Sequence, residues 1–216
     1  MESPFRGLDL TGVQLIETLL WDGARFPLLP RHLARLATGR AAFGWGGPDP
    51  QPGLRAAVTP GVAQRVRLLA GPDAVTVAVG ALPPAATEWR VRLAPVALLA
   101  GDPWLQVKST RRTRYDTDRA ALPEGVDEWI YCNERDEVCE GTITNVFFDT
   151  GEGMRTPPLA SGCLPGCLRA ELLASGACRE QVLRGADLER ARLWVGNALR
   201  GLIPARLVGD GAVDGR

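Results

Sequence analysis

A single lysine, Lys108, stands among 25 basic residues, because the other 24 are arginines. Either residue can give a surface its positive charge, so the one lysine suggests chemistry that arginine cannot perform. A lysine can lose its proton, attack a carbonyl carbon and form a Schiff base, whereas arginine stays protonated in proteins. The alternative is the chance survival of one lysine codon. The surroundings of Lys108 therefore have to decide between these interpretations.

The segments that must position Lys108 alternate between strand-like and helix-like patterns. In the first half we predict a strand over 13–21, a hairpin turn at Asp22-Gly23 with its return at 25–27, a helix from Pro30 to about Phe43, and strands over 64–69 and 74–82. In the second half we predict strands over 89–93, 128–132, 138–140, 145–149, 154–156 and 193–195, and a helix from Pro165-Gly166 to about Ser175. The last residues, Gly209 to Arg216, are expected to be frayed.

This alternation predicts an α+β fold of two small domains with mostly antiparallel sheets and flanking helices. The run Pro83-Pro84-Ala85-Ala86 cannot hold regular structure and marks a boundary. We therefore predict an N-terminal α/β domain over 1–82, a linker over 83–88, and a β-rich domain over 89–216 that carries the lysine.

Composition excludes several classes of function. The 25 basic and 25 acidic residues balance, so no basic field is available for nucleic acid or acidic lipid. No apolar stretch could span a membrane, and 1–10 lacks the apolar core of a signal peptide, so a cytoplasmic protein is expected. The five cysteines, at positions 132, 139, 163, 167 and 178, are odd in number and form no CxxC pair. They indicate reduced, packing thiols, and no metal site is expected.

Five segments follow one another in an order that is itself informative. They are Glu17-Thr18-Leu19, the run Pro30 to Leu36, the lysine segment Trp104 to Arg112, Glu140 to Phe147, and Ser161 to Arg169. Together they resemble the class IV aminotransferases, the fold-type IV pyridoxal-phosphate enzymes. That family contains branched-chain aminotransferase, D-amino-acid aminotransferase and aminodeoxychorismate lyase, and the resemblance covers residues 13 to 204.

The resemblance implies pyridoxal 5'-phosphate as cofactor and assigns residues to it. Lys108 matches the lysine that binds the cofactor covalently, and Glu140 the carboxylate that keeps the pyridine nitrogen protonated. Arg35 matches the arginine that binds the phosphate with its forked guanidinium. The backbone of the helix start holds the same phosphate, and the turn after Glu140 adds further contacts. These last residues are Gly166, Cys167 and Leu168 at the helix start, and Ile143 and Thr144 in the turn.

The substrate side is also implied by the resemblance. The turn Gly196-Asn197-Ala198 matches the one whose N–H groups face the substrate carboxylate, which makes Asn197 and Ala198 substrate-binding. The tyrosine common near the family's lysine has only Tyr115 as a counterpart, seven residues on. Members of the family are homodimers that act on small amino compounds, so a homodimer and a small-molecule amino substrate are expected.

Two positions separate the subgroups of the family. Aminotransferases usually carry glycine after the glutamate of the first strand, whereas the lyase-like branch has threonine, as Thr18 is here. Arg112, four residues after Lys108, also resembles that branch and is assigned to the substrate. We therefore expect 4-amino-4-deoxychorismate lyase activity with Lys108 and Thr18 as catalytic residues. An aminotransferase for branched-chain or D-amino acids, and a shortened relative that binds the cofactor without efficient turnover, stay as alternatives.

Overall fold

The computed structural model describes residues 3–209, and the expected fraying beyond Gly209 lies outside them. Contacts divide the chain into two units. The first holds the chain up to Pro84 together with Val107–Arg111, and the second holds Ala85–Gln106 and the chain from Arg112 onward. The segment with Lys108 thus belongs by its contacts to the first unit, because the Ile16 N–H donates to Lys108 O at 2.8 Å.

The first unit is a three-stranded antiparallel sheet with a helix on one face. Its elements are β1 (Leu15–Trp21), α1 (Leu29–Phe43), α2 (Gln51–Ala57), β2 (Gln64–Ala70) and β3 (Val75–Gly80), and the strand order is β1-β2-β3. Alternation fixes the buried face, since Val66, Leu68 and Ala70 are buried while Arg65 and Arg67 are exposed. The helix ends at Gly44, whose φ of 69° is a left-handed conformation that suits glycine.

The predicted hairpin after β1 is wrong. The Asp22 carboxylate accepts hydrogen bonds from the Ala24 and Arg25 N–H groups, so the chain does turn there, but it continues into α1. All seven residues of β1 pair with β2 instead. A local turn signal cannot reveal this partner, because β2 lies more than 40 residues further along the chain.

The second unit is built on one eight-stranded sheet with the order β10-β11-β4-β5-β6-β7-β8-β9. Its strands are β4 (Trp89–Leu93), β5 (Glu128–Cys132), β6 (Val138–Gly141), β7 (Asn145–Asp149), β8 (Arg155–Thr156), β9 (Arg179–Glu180), β10 (Arg192–Asn197) and β11 (Gly201–Leu207), and its helices are α3 (Thr113–Ala120) and α4 (Cys167–Ala174). Because β7 also pairs with β10, six of these strands close into a barrel-like ring.

The interior of this ring is an apolar cluster that includes Val91, Ile130, Val146, Phe148 and Val195. Most neighbouring strands are antiparallel, and β11–β4, β4–β5 and β8–β9 are parallel. The predicted α+β class with mostly antiparallel sheets is confirmed. Among the described residues no helix combines the length and apolar character needed to cross a bilayer.

Candidate active site

Lys108 and Thr18 lie on the same face of the first unit's sheet. Leu15 pairs antiparallel with Ser109, and the Thr110 N–H donates to Gln14 O, so Ile16 stands directly opposite Lys108. Residues opposite one another in an antiparallel pair point to the same face, and so do residues two apart on one strand. Ile16, Thr18 and Lys108 therefore share a face, and Thr18 is a diagonal neighbour of the lysine.

The other face of β1 carries a buried charged cluster beneath α1. Glu17 is 2 % exposed and accepts hydrogen bonds from Arg35 Nε at 2.9 Å and Arg35 Nη2 at 2.5 Å. Its Oε2 also lies 2.5 Å from Nδ1 of His32, the only histidine in the sequence. Burial alone would raise the pKa of Glu17, but the Arg35 guanidinium and the His32 contact outweigh it and lower that pKa. Glu17 is therefore an ionised carboxylate.

Arg35 thus has a protein partner that the sequence did not indicate. Glu17 takes two of the five N–H donors of its guanidinium. Ser109, directly opposite Leu15, is on the same face as Glu17. Its hydroxyl is buried and has no hydrogen-bond partner among the described residues. A guanidinium and an unsatisfied hydroxyl are both suited to an anionic oxygen.

In the second unit Glu140 is held at both carboxylate oxygens. The Tyr115 hydroxyl donates to Oε1 at 2.6 Å, and the Leu164 N–H donates to Oε2 at 2.8 Å. Burial and the neighbouring carboxylate raise the pKa of Tyr115 far above its ordinary range, so the phenol keeps its proton. Glu140 is itself 6 % exposed. It is a fixed, buried carboxylate, as a partner of a protonated ring nitrogen has to be.

The turn after Glu140 folds around a second carboxylate, that of Glu128. This residue is fully buried and accepts hydrogen bonds from the Thr142 N–H at 3.0 Å, the Ile143 N–H at 3.2 Å and the Thr144 hydroxyl at 3.1 Å. The Thr142 hydroxyl and Arg119 Nη1 also donate to it. Burial raises the pKa of Glu128 even though these donors oppose the shift. The buried Glu128 carboxylate therefore holds Ile143 and Thr144 in place.

The start of α4 lies against the same turn. Asn145 donates through Nδ2 to Leu164 O at 2.9 Å, and a Cβ placed on Gly166 would lie 1.8 Å from Asn145 Oδ1. Only glycine allows this approach. The helix begins without a side-chain cap, and its first turn, Cys167 to Arg169, has no acidic residue. Such a helix start is suited to an anion.

The turn between β10 and β11 completes this group of segments. Asn197 donates through Nδ2 to Ile143 O at 3.2 Å, while its Oδ1 accepts the Leu199 and Arg200 N–H groups at 3.1 and 3.0 Å. Ala198 lies inside this turn. A Cβ on Gly196 would lie 2.9 Å from the Leu168 side chain, so α4 packs closely on β10. The second unit thus brings together Glu140, the 142–144 turn, the α4 start and the 197–200 turn.

Arg112 lies at the start of α3. Its Nε contacts Asp116 Oδ1 at 2.7 Å, and its Nη2 donates to Thr142 O at 3.1 Å. The guanidinium also lies 5.8 Å from the centre of the Tyr115 ring. The predicted substrate arginine is therefore anchored to the turn after Glu140.

The five cysteines have no disulfide partner, and four are buried. Burial raises the pKa of the Cys132 thiol to about 11 and that of the Cys163 thiol to about 12. The pKa of the Cys139 thiol is also raised, mainly by burial. These are packing thiols rather than nucleophiles, because a reactive cysteine needs a lowered pKa.

Comparison with known proteins identifies the family. The model of "Amino-transferase class IV" matches residues 14–208. The chain belongs to the class IV aminotransferases. A "Putative aminodeoxychorismate lyase" of Schizosaccharomyces pombe is 32 % identical over an alignment of 182 residues, and the match covers 77 % of this chain and 75 % of the relative. The resemblance seen in the sequence is thereby confirmed.

Two solved structures extend the comparison. A "Putative amino-acid aminotransferase" of Mesorhizobium loti is 42 % identical with a TM-score of 0.82, and the match covers 91 % of this chain and all of that one. A hypothetical aminotransferase of Mycobacterium tuberculosis in its α-ketoglutarate- and PMP-bound form is 25 % identical, with a TM-score of 0.76 and coverage of 93 % and 84 %.

Class IV aminotransferases use pyridoxal phosphate, so the predicted cofactor is confirmed, and the described residues suit it. The first unit offers one amine together with the Arg35 guanidinium and the unsatisfied Ser109 hydroxyl. The second offers the fixed Glu140 carboxylate and the uncapped start of α4. These are the groups that an aldehyde, a phosphate and a pyridine nitrogen require.

The residues that hold the predicted site residues in place were not among those predicted from the sequence. Glu17 accepts hydrogen bonds from Arg35, and Glu128 accepts hydrogen bonds from the 142–144 turn. In the sequence Tyr115 is only an imperfect counterpart of the family's tyrosine, yet its hydroxyl holds Glu140. Glu128 lies in a run of apolar residues with the pattern Glu-Trp-Ile-Tyr-Cys. A lone acid in an otherwise buried strand needs partners, and that signal could have identified it.

Proposed function

We propose that this class IV enzyme is 4-amino-4-deoxychorismate lyase, which releases 4-aminobenzoate and pyruvate for folate synthesis. The observation that carries the proposal is the position of Thr18. It lies on the face of β1 that Lys108 shares, two residues along the strand from Ile16, which is directly opposite the lysine. In this proposal the Thr18 hydroxyl, on the same face as the lysine, positions or relays a proton of the lysine amine. The relative in Schizosaccharomyces pombe that is named as such a lyase supports the same assignment.

The residues of the first unit handle the cofactor aldehyde and the proton. When bound, pyridoxal phosphate supplies an aldehyde that captures amines and a ring that accepts electrons from the substrate. Lys108 would hold the cofactor through its amine, and the same amine would act as the general base that removes the ring proton of the substrate. The Thr18 hydroxyl positions or relays that proton. Arg35 binds the phosphate while Glu17 fixes the guanidinium.

The residues of the second unit bind and orient the cofactor and the substrate. Glu140 keeps the pyridine nitrogen protonated, and the backbone at Gly166, Cys167 and Leu168 binds the phosphate, with further contacts from Ile143 and Thr144. The substrate carboxylates are bound by Asn197 and Ala198, and by Arg112. We also propose a cytoplasmic homodimer, which sedimentation of the purified protein at micromolar concentration would test.

The decisive experiment measures product from aminodeoxychorismate without any 2-oxo acid. A lyase releases 4-aminobenzoate and pyruvate under these conditions, because elimination returns the cofactor to Lys108 without converting it to its amine form. Thr18→Val should lower turnover by about 100-fold, in the range of a lost acid–base contribution. Thr18→Ser keeps the hydroxyl and is the matched control. Equal turnover in the valine and serine variants would remove Thr18 from the mechanism.

An aminotransferase is the second candidate, and the 42 % identical Mesorhizobium loti protein favours it. Such an enzyme needs two half-reactions, so an amino acid alone should convert the bound cofactor to its amine form. Useful transamination without any 4-aminobenzoate would replace the lyase proposal. A protein that binds the cofactor and catalyses neither reaction would instead be a shortened relative without efficient turnover.

A further inference from the structure

Tyr115 holds the Glu140 carboxylate from the first turns of α3. Its hydroxyl donates to Oε1 at 2.6 Å, a short distance that is typical of a hydrogen bond from a hydroxyl to a charged carboxylate. The second oxygen is held by the Leu164 N–H. With both oxygens engaged, the plane of the carboxylate is fixed.

Three side chains of α3 and its N-cap reach the 140–142 segment from one side. Arg112, Tyr115 and Arg119 are spaced three and four residues apart, which places them on one helix face. Arg112 donates to Thr142 O at 3.1 Å, and Arg119 Nη1 lies 3.0 Å from Thr142 Oγ1. Tyr115 contacts Glu140 directly. The helix therefore fixes both the backbone that carries Glu140 and the carboxylate itself.

The Tyr115 ring has its own supports. It packs edge to face on Tyr131 with the ring centres 5.4 Å apart, and the Arg112 guanidinium lies over it. The titratable and charged groups around the phenol include Glu140, Tyr131, Cys139 and Arg112. Tyr131 donates its own hydroxyl to Asp118 Oδ2 at 2.6 Å, away from Glu140. The two tyrosines are thus packed together but serve different carboxylates.

We infer that Tyr115 is a positioning residue: its phenol holds the Glu140 carboxylate in the orientation in which that carboxylate meets the pyridine nitrogen of the cofactor. The inference rests on the proposed function, in which Glu140 is the partner of that nitrogen. Tyr115 acts through Glu140 and touches neither cofactor nor substrate in this role. Loss of the phenol should therefore reproduce, in weaker form, the loss of the carboxylate.

The test uses the visible absorption of the cofactor-loaded protein, followed over the neutral and alkaline pH range. Glu140→Gln should move the midpoint of the spectral titration. The midpoint reports the pKa of the titrating group on the cofactor, and that pKa depends on whether the pyridine nitrogen is protonated. Tyr115→Phe should move it in the same direction and by less. Tyr131→Phe is the matched control, since it removes a neighbouring buried phenol that bonds Asp118, and it should leave the midpoint unchanged.

A double-mutant cycle separates action through Glu140 from a general disturbance. In protein that already carries Glu140→Gln, the further change Tyr115→Phe should add no shift, because the group it positions is gone. Additive shifts would overturn the inference. So would a Tyr115→Phe midpoint equal to the wild type while Glu140→Gln moves it. If Glu140→Gln itself leaves the midpoint unchanged, the assignment of Glu140 in the proposed function fails and the inference falls with it.

A second probe keeps the ring and changes only the strength of the donor. The sequence has two tyrosines, 115 and 131, so fluorotyrosine incorporated into Tyr131→Phe protein labels Tyr115 alone. Fluorination makes the phenol more acidic and a stronger donor. The midpoint should then move opposite to the Tyr115→Phe shift. A shift in the Tyr115→Phe direction would contradict the inference even if Tyr115→Phe proved poorly folded.

Discussion

Glu17 shows at the scale of one residue how a buried charge ties stability to pH. The guanidinium of Arg35 and the contact with His32 lower its pKa in the folded protein despite its burial. A lowered folded pKa adds stability that is complete above the ordinary glutamate pKa of about 4.3. That stability is lost as the pH falls from there through the lower pKa of the folded protein.

Arg35→Ala should therefore destabilise the protein as well as weaken the binding of the cofactor phosphate. Without the guanidinium, the buried Glu17 carboxylate keeps only the His32 contact of its two side-chain partners described above, and losing one partner of a buried ion pair costs about 3 kcal/mol. We expect the free energy of unfolding of the cofactor-free protein to fall by this order at neutral pH. The loss should shrink in acid, where Glu17 becomes protonated. Denaturant unfolding at several pH values measures both effects.

The control for this prediction is an exposed ion pair of the same unit. Arg25 lies 3.8 Å from Asp22, and its side chain is 80 % exposed, so Arg25→Ala should change stability little. Adding Glu17→Gln to Arg35→Ala removes the buried charge and should restore part of the lost stability. A double variant as unstable as Arg35→Ala alone would show that the buried Glu17 charge is not the cause.

At the scale of elements, the approach of α4 to β7 depends on Gly166. A Cβ there would lie 1.8 Å from Asn145 Oδ1, while Asn145 is buried and bonded to Leu164 O. Gly166→Ala must displace the asparagine or the start of α4, where we place the cofactor phosphate. We expect pyridoxal phosphate to bind about tenfold more weakly, which corresponds to about 1.4 kcal/mol. Titration of the cofactor-free protein measures this change.

Gly101→Ala is the matched control, because a Cβ at Gly101 meets no atom within 4 Å. It changes the same residue type in the same unit without overpacking. Unchanged cofactor affinity in Gly166→Ala, with a native circular dichroism spectrum, would contradict the placement of the phosphate at this helix start.

The elements also mark what the sequence could predict. Periodicity and Pro-Gly punctuation place α1, β2, β3, β5 and α4 within a few residues, because these signals are local. The partner of β1, the closure between β7 and β10 and the strand β11 depend on contacts distant in sequence. The roles predicted for Lys108 and Glu140 come from family motifs. Those of Glu17, Glu128 and Tyr115 could not be predicted in this way, because their importance lies in hydrogen bonds that only the folded chain creates.

At the scale of the whole molecule, one lysine in 216 residues permits an unusually clean test of the cofactor site. Borohydride makes the link between an amine and the cofactor aldehyde permanent. The purified, cofactor-loaded protein should be yellow, and after reduction the cofactor should be found on the peptide that contains Lys108. Lys108→Arg keeps the charge but cannot form the link, because arginine stays protonated, and should take up no label there.

The result of this labelling bears on every assignment in the site. The lysine and the N-terminal amine are the only primary amines that the sequence provides, so two peptides account for every permitted outcome. Label on the Lys108 peptide that Lys108→Arg abolishes would locate the cofactor aldehyde at Lys108. The roles proposed for Thr18, Glu140 and the phosphate contacts all depend on that location. Label confined to the N-terminal peptide, or cofactor released by reduction without any label, would show that Lys108 does not hold it. The lyase and aminotransferase proposals would then fail together, because both begin from the amine of Lys108.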